Sequence, residues 1–162
     1  MKNLGYLLAT ALVGTGAFVG AAHAQTQSAM AGHAWPNPVD SCFNSSFAMV
    51  TNNCETPTTR LWIIPIQVPT AGNYTASARV AGAPAYTQAT CQAMAINSSN
   101  SGWSFGNVRG SSGSAVQNIP LGNINVPAQG TAHFECQVGG WVSDLNGGGR
   151  GARVINVELN PL

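Results

Sequence analysis

Two-residue alternation of apolar and polar side chains is the feature that most limits what this chain can become. In "TAHFECQV", residues 131–138, Ala132, Phe134, Cys136 and Val138 fall on one side of an extended backbone. Thr131, His133, Glu135 and Gln137 fall on the other. "NYTASARV" repeats the pattern, with Tyr74, Ala76, Ala78 and Val80 set against Thr75, Ser77 and Arg79. Gly, Pro, Ser and Asn recur too often after residue 24 for a long amphipathic helix. The chain must therefore bury itself as short strands joined by turns.

A first strand is expected near Phe47–Thr51. "RLWIIPIQV" follows, apolar on both faces, with Pro65 demanding an edge or a bulge. After Tyr74–Val80 come residues 87–96, where Ala89, Cys91, Ala93 and Ala95 share a face, and a short strand over Trp103–Val108. Val116–Val126 reads as one or two short strands broken at Pro120 and Gly122. Arg153–Leu159 closes the chain, with Ile155, Val157 and Leu159 together on one face. About eight short antiparallel strands without helices make an all-β fold, a single β-sandwich of immunoglobulin-like or jelly-roll-like kind, with a closed barrel as the alternative. Many inward positions are alanine, so the core is thin and covalent staples are needed.

Four cysteines supply them. Three pairings exist on paper. Cys42–Cys54 staples the first hairpin, and Cys91–Cys136 is expected to join strands facing each other across the sandwich, since both side chains share faces with core alanines. No CxxC is present, which removes zinc-knuckle and thioredoxin-like readings. An oxidising compartment fits this usage. Residues 1–24 point the same way: Lys2, an apolar stretch from Leu4 to Val19, and Ala22-His23-Ala24 as a small-x-small cleavage site. The reading is a secretory signal over 1–24, an extended lead-in over 25–40 and the sandwich over 41–162, secreted to the periplasm or beyond, with no membrane insertion after cleavage.

Charge narrows function. Lys2 is the one lysine, so residues 25–162 carry five arginines against Asp40, Glu55, Glu135, Asp144 and Glu158, a net charge of zero. Nucleic acid, which demands a cationic stripe, is excluded as a partner. His133 and Glu135 point away from Cys136, and could ligate a metal only if a neighbouring strand supplied a third group; His33 lies in the lead-in. Asp144-x-Asn146-x-Gly148 begins like a calcium loop but places Ile155 where the bidentate glutamate belongs. "GGGRG" is followed by a strand, unlike a phosphate loop. No G-x-S-x-G elbow occurs.

Trp103, Trp141 and Tyr86 sit at or near turns, where aromatic rings either cap a core or stack on a ligand. The expected function is a secreted non-catalytic module without cofactor, binding an extracellular glycan or protein or serving a structural role. The alternatives are a small hydrolase or metal-dependent enzyme using His133 and Glu135, and a self-associating filament subunit, which a neutral surface permits. Exported protein should begin at Gln25 by intact mass; a secreted species retaining residues 1–24 would contradict the leader.

Overall fold

A computed structural model describes residues 23–38, 40–46, 48–55, 58–82, 88–141 and 151–162. Twelve strands alternate along the described chain: β1 (Gln25–Ser28), β2 (His33–Trp35), β3 (Phe43–Ser46), β4 (Met49–Asn52), β5 (Thr59–Ile66), β6 (Gly72–Ala81), β7 (Ala89–Ile96), β8 (Trp103–Phe105), β9 (Arg109–Gly110), β10 (Gln117–Val126), β11 (Thr131–Gly139) and β12 (Arg153–Pro161). They form two antiparallel sheets packed face to face. The first runs β10-β6-β12-β4-β3 with β1 also on β12; the second runs β2-β5-β11-β7-β8 with β9 also on β7. Counting β4–β8 and β10–β12 as strands one to eight, the sheets read 6-3-8-1 and 2-7-4-5. That is the double Greek-key order of a jelly roll; an immunoglobulin sandwich would keep its first two strands in one sheet.

Alternation places the core where the pattern requires. Tyr74, Ala76, Ala78 and Val80 of β6 and Ala132, Phe134, Cys136 and Val138 of β11 are all buried. Ten buried alanines line the described interior, confirming a core of small volume. Two β-bulges change what simple periodicity anticipates. β10 is one continuous strand, because Leu121 bulges between Pro120 and Gly122 and lets Ile119, Leu121, Ile124 and Val126 all turn inward. Gly122 holds φ +78°, and a Cβ there would press on the Asn107 amide. In β12 the ladder skips Ile155, so Val154, Val157 and Leu159 face the core and Ile155 does not share their burial.

Both disulfides form, Cys42–Cys54 and Cys91–Cys136. The second does not cross the layers as expected. Cys91 and Cys136 are direct partners on the neighbouring strands β7 and β11, with Cα atoms 4.1 Å apart. So close a separation belongs to a non-hydrogen-bonded antiparallel pair. Both side chains do point inward, and adjacency within one sheet serves that as well as opposition across two. Parity then turns the backbone of Pro65 away from β11, and β2 ends opposite Ile63, so the proline removes no ladder bond.

Within 25–40, read as an extended lead-in, β1 pairs with β12 and β2 with β5, a 3-10 turn over Ala29–Ala31 lies between them, and Ala29 and Ala34 are buried. Trp62 Nε1 donates to Ala29 O at 2.8 Å, tying the turn between them to β5. Residues 1–22, expected to belong to a leader, together with Phe47, Tyr86 and residues 142–150, which include Asp144 and most of "GGGRG", lie outside the described residues.

Asn52, one residue past the first strand expected at Phe47–Thr51, is the buried last residue of β4. Its Nδ2 donates to Val138 O at 2.8 Å and Thr58 O at 3.1 Å, and its Oδ1 accepts from Cys54 N at 3.0 Å. One side chain thus joins the two sheets at the Cys42–Cys54 end. Asn52→Ala strands those groups in the interior and should cost about 2–3 kcal/mol in denaturant unfolding. Asn53→Ala at the exposed neighbouring position should stay within about 0.5 kcal/mol, and equal effects would remove the inter-sheet role.

Candidate functional site

The outward side chains of the second sheet make a ruled surface whose composition follows from strand parity. Register places Trp35, Leu61, Gln137 and Thr90 in one row across the strands. Beside it run His33, Ile63, Glu135 and Gln92. The next row is Pro65, His133, Met94 and Phe105, and Thr131, Ile96 and Trp103 complete the face. Eight of these fifteen residues are apolar or aromatic, and of the fifteen only Met94 is buried. The doubly apolar β5 therefore presents Leu61 and Ile63 half-buried and Pro65 exposed. The first sheet's outward face is of another kind, with Asn73, Thr75, Ser77, Arg79, Asn118, Asn123, Asn125, Asn156, Glu158 and Asn160.

Trp103 stands on β8, an edge strand, and is 48% exposed. Its partner is Phe105, 53% exposed, with ring centroids 5.9 Å apart and planes within 4°. That spacing suits an offset-parallel aromatic pair. The strand beneath is fixed at both ends. Asn97 Oδ1 accepts from the backbone N–H groups of Ser101 and Gly102 at 2.9 and 3.1 Å, closing the turn into Trp103. Asn125 N donates to Ser104 Oγ at 2.8 Å, and Gly106 N donates to Ala93 O at 2.9 Å. A ring pair on so tethered a strand is pre-organised for contact.

The other expected aromatics do not join it. Trp141 follows β11 at its far end, roughly 27 Å along the strand from Thr131, where its N–H donates to Cys54 O at 2.6 Å. Tyr86 is not among the described residues. Two rings escaped sequence reasoning: Phe105, although "WSF" at i and i+2 of a strand shares a face, and Trp35 on β2, 60% exposed.

His133 Nε2 and Glu135 Oε1 lie 3.4 Å apart in the middle of the face, partly exposed. His33 is in Glu135's row but beyond Ile63, two strands away. Among the described residues no three His, Cys, Asp or Glu side chains converge on a common point. The pair is thus two adjacent polar contacts on a mixed face, with no third ligand-type side chain converging on it among the described residues.

At the Trp103 end, the ring borders a hollow of about 210 Å³ with Asn97, Ser104, Asn125 and Pro127. A larger cleft of about 630 Å³ opens on the other side of the β10–β11 turn, walled by Gln25, Gln27, Pro65–Pro69 and Gly130–Ala132. Its cause is topological. β2 stops opposite Ile63, leaving the end of β5 without a neighbour on that side, while Gln25 and Gln27, opposite the inward Leu159 and Val157, turn polar side chains toward the gap.

No protein-family model and no curated protein matches the chain. Among solved structures, the Podospora anserina GH26-CBM35 β-(1,4)-mannanase aligns over 86% of this chain at 13% identity and a TM-score of 0.47. The alignment spans 28% of that protein's length. Among the described residues no helix is long and apolar enough to cross a membrane, and the two disulfides fit an oxidising, extracytoplasmic setting.

Acrylamide should quench Trp35 and Trp103 but spare Trp62, which is 7% exposed. Trp103→Phe should lower the quenchable share of the emission; an unchanged share would place the ring inside the protein.

Proposed function

We propose that the protein is an exported, non-catalytic binding module that takes neutral glycan chains on the outer face of the second sheet. The observation that carries this reading is the half-exposed, parallel Trp103–Phe105 pair on a tethered edge strand. Pyranose rings present C–H faces that pack on aromatic rings, and hydroxyls that need amides and hydroxyls beside them. Gln92, Gln137, Thr90 and Thr131 share the face with the aromatics. Zero net charge over residues 25–162 suits an uncharged ligand and gives no field for a polyanion. His133 and Glu135 serve as polar contacts within the face, not as acid and base. A second copy of the chain is the competing occupant, because nothing electrostatic repels it.

Electrophoresis through gels containing neutral soluble polysaccharides tests the reading. At least one polysaccharide should retard the wild type, and Trp103→Ala and Phe105→Ala should each weaken binding about tenfold, equivalent to about 1.4 kcal/mol. Trp141→Ala, at the far end, should migrate like the wild type. Retardation unchanged by both ring removals, or absent with every neutral polysaccharide, overturns the assignment.

A further inference from the structure

We infer that the cleft beside Gln27 and the hollow beside Trp103 are two parts of one extended groove, so that the ligand is a linear, uncharged oligosaccharide bound along its length. This rests on the glycan reading of the Trp103–Phe105 pair and adds a second contact region to it.

The two concavities share the same end of the sandwich. Thr131 belongs to the cleft and pairs with Ile96, which pairs in turn with Trp103. Two strand spacings therefore separate cleft from ring, about 10 Å. The floor between them is Thr131 and Ile96, exposed and half-buried respectively, so a chain can lie across it. The β10–β11 turn flanks both, giving Pro127 to the hollow and Gly130 to the cleft.

Chemistry selects the occupant. None of the side chains lining either concavity is ionisable, and the one charge that cleavage after Ala24 brings there is the Gln25 α-ammonium at the cleft's rim. The polar groups are the carboxamides of Gln25, Gln27 and Gln67 and the hydroxyl of Thr131, which both donate and accept, as sugar hydroxyls do. Pro65, Val68 and Pro69 supply apolar wall between them. No side chain here offers a counter-charge to a phosphorylated or carboxylated ligand, and a peptide would lack strand pairing at Pro65, which has no N–H. At about 630 Å³ the cleft has the volume of a small-molecule site. A single pyranose ring on Trp103 falls short of it, and a chain of several units can occupy both.

The test is calorimetric titration with neutral gluco-, manno- and xylo-oligosaccharides of about two to six units, using wild type, Gln27→Ala, Gln67→Ala and Trp103→Ala. Gln67 is exposed and Gln27 half-buried at a sheet edge, so both variants should fold, which unfolding curves verify. For the series that binds, affinity should rise about tenfold from the shortest to the longest member. Gln27→Ala and Gln67→Ala should remove most of that gain while leaving short-chain affinity unchanged, whereas Trp103→Ala weakens every length. Equal affinity for short and long chains, with both glutamine variants silent and Trp103→Ala still weakening, overturns the extended groove and leaves the glycan reading standing. Binding insensitive to Trp103→Ala, or no binding in any series, overturns both.

Discussion

The register of β11 between β5 and β7 is the constraint from which the rest follows. β11 pairs with both neighbours over nearly its whole length. A slip of one residue on either side would send Phe134 and Val138 to solvent and His133 and Glu135 into the core. The Cys91–Cys136 bond ties one rung of this triple covalently, and the inward run of Ala132, Phe134, Cys136 and Val138 holds the rest by burial. Because the same rungs order the outer side chains, the register that makes the core also sets Met94 beside Phe105 and Ile96 beside Trp103. Core and candidate binding face are two readings of one ladder.

The two outer faces obey the same geometry with opposite chemistry. On the first sheet the outward positions of β6, β10 and β12 are mostly Asn, Ser and Thr, and Asn125 Nδ2 donates to Asn73 Oδ1 at 2.8 Å there. Such a face is well solvated and needs nothing against it. The second sheet instead exposes Trp35, Pro65, Trp103 and Phe105 in a chain otherwise rich in small polar residues. Scattered apolar residues on a surface are ordinary, but their collection on one face of two is not. The asymmetry is the ground on which that face is proposed as the binding surface.

How far this was legible varied with range. Strand parity in "TAHFECQV" and "NYTASARV" is local, so the inward residues of β6 and β11 could be read directly, as could the all-strand class. Parity fails wherever an extra residue enters one strand. Leu121 and Ile155 are such residues, and no local signal distinguishes a bulge at Ile155 from regular alternation; Gly122 at least hinted at the first. Which strands neighbour each other is a long-range property. Two inward cysteines are compatible with opposition across layers or adjacency in a sheet, and periodicity alone does not choose. The cleft was beyond reach for the same reason, since it arises from where β2 stops relative to β5, a fact about pairing lengths and not about any residue type.

The distribution of bulk between inside and outside carries the functional argument further than any single contact. A jelly roll filled by Ala76, Ala78, Ala89, Ala93, Ala95 and Ala132 buries little apolar area per residue, and larger side chains would ordinarily be drawn inward to raise it. Here Trp35, Trp103 and Phe105 remain outside, while two disulfides and the fully bonded Asn52 brace the small-residue interior. Disulfides act largely on the unfolded ensemble and ask nothing of the outer face. With folding secured by ladders and staples, the outer rings are free of any core duty. Bulky rings kept in water, held on a strand tethered at both ends, are what a recognition surface requires and what stability alone would not select.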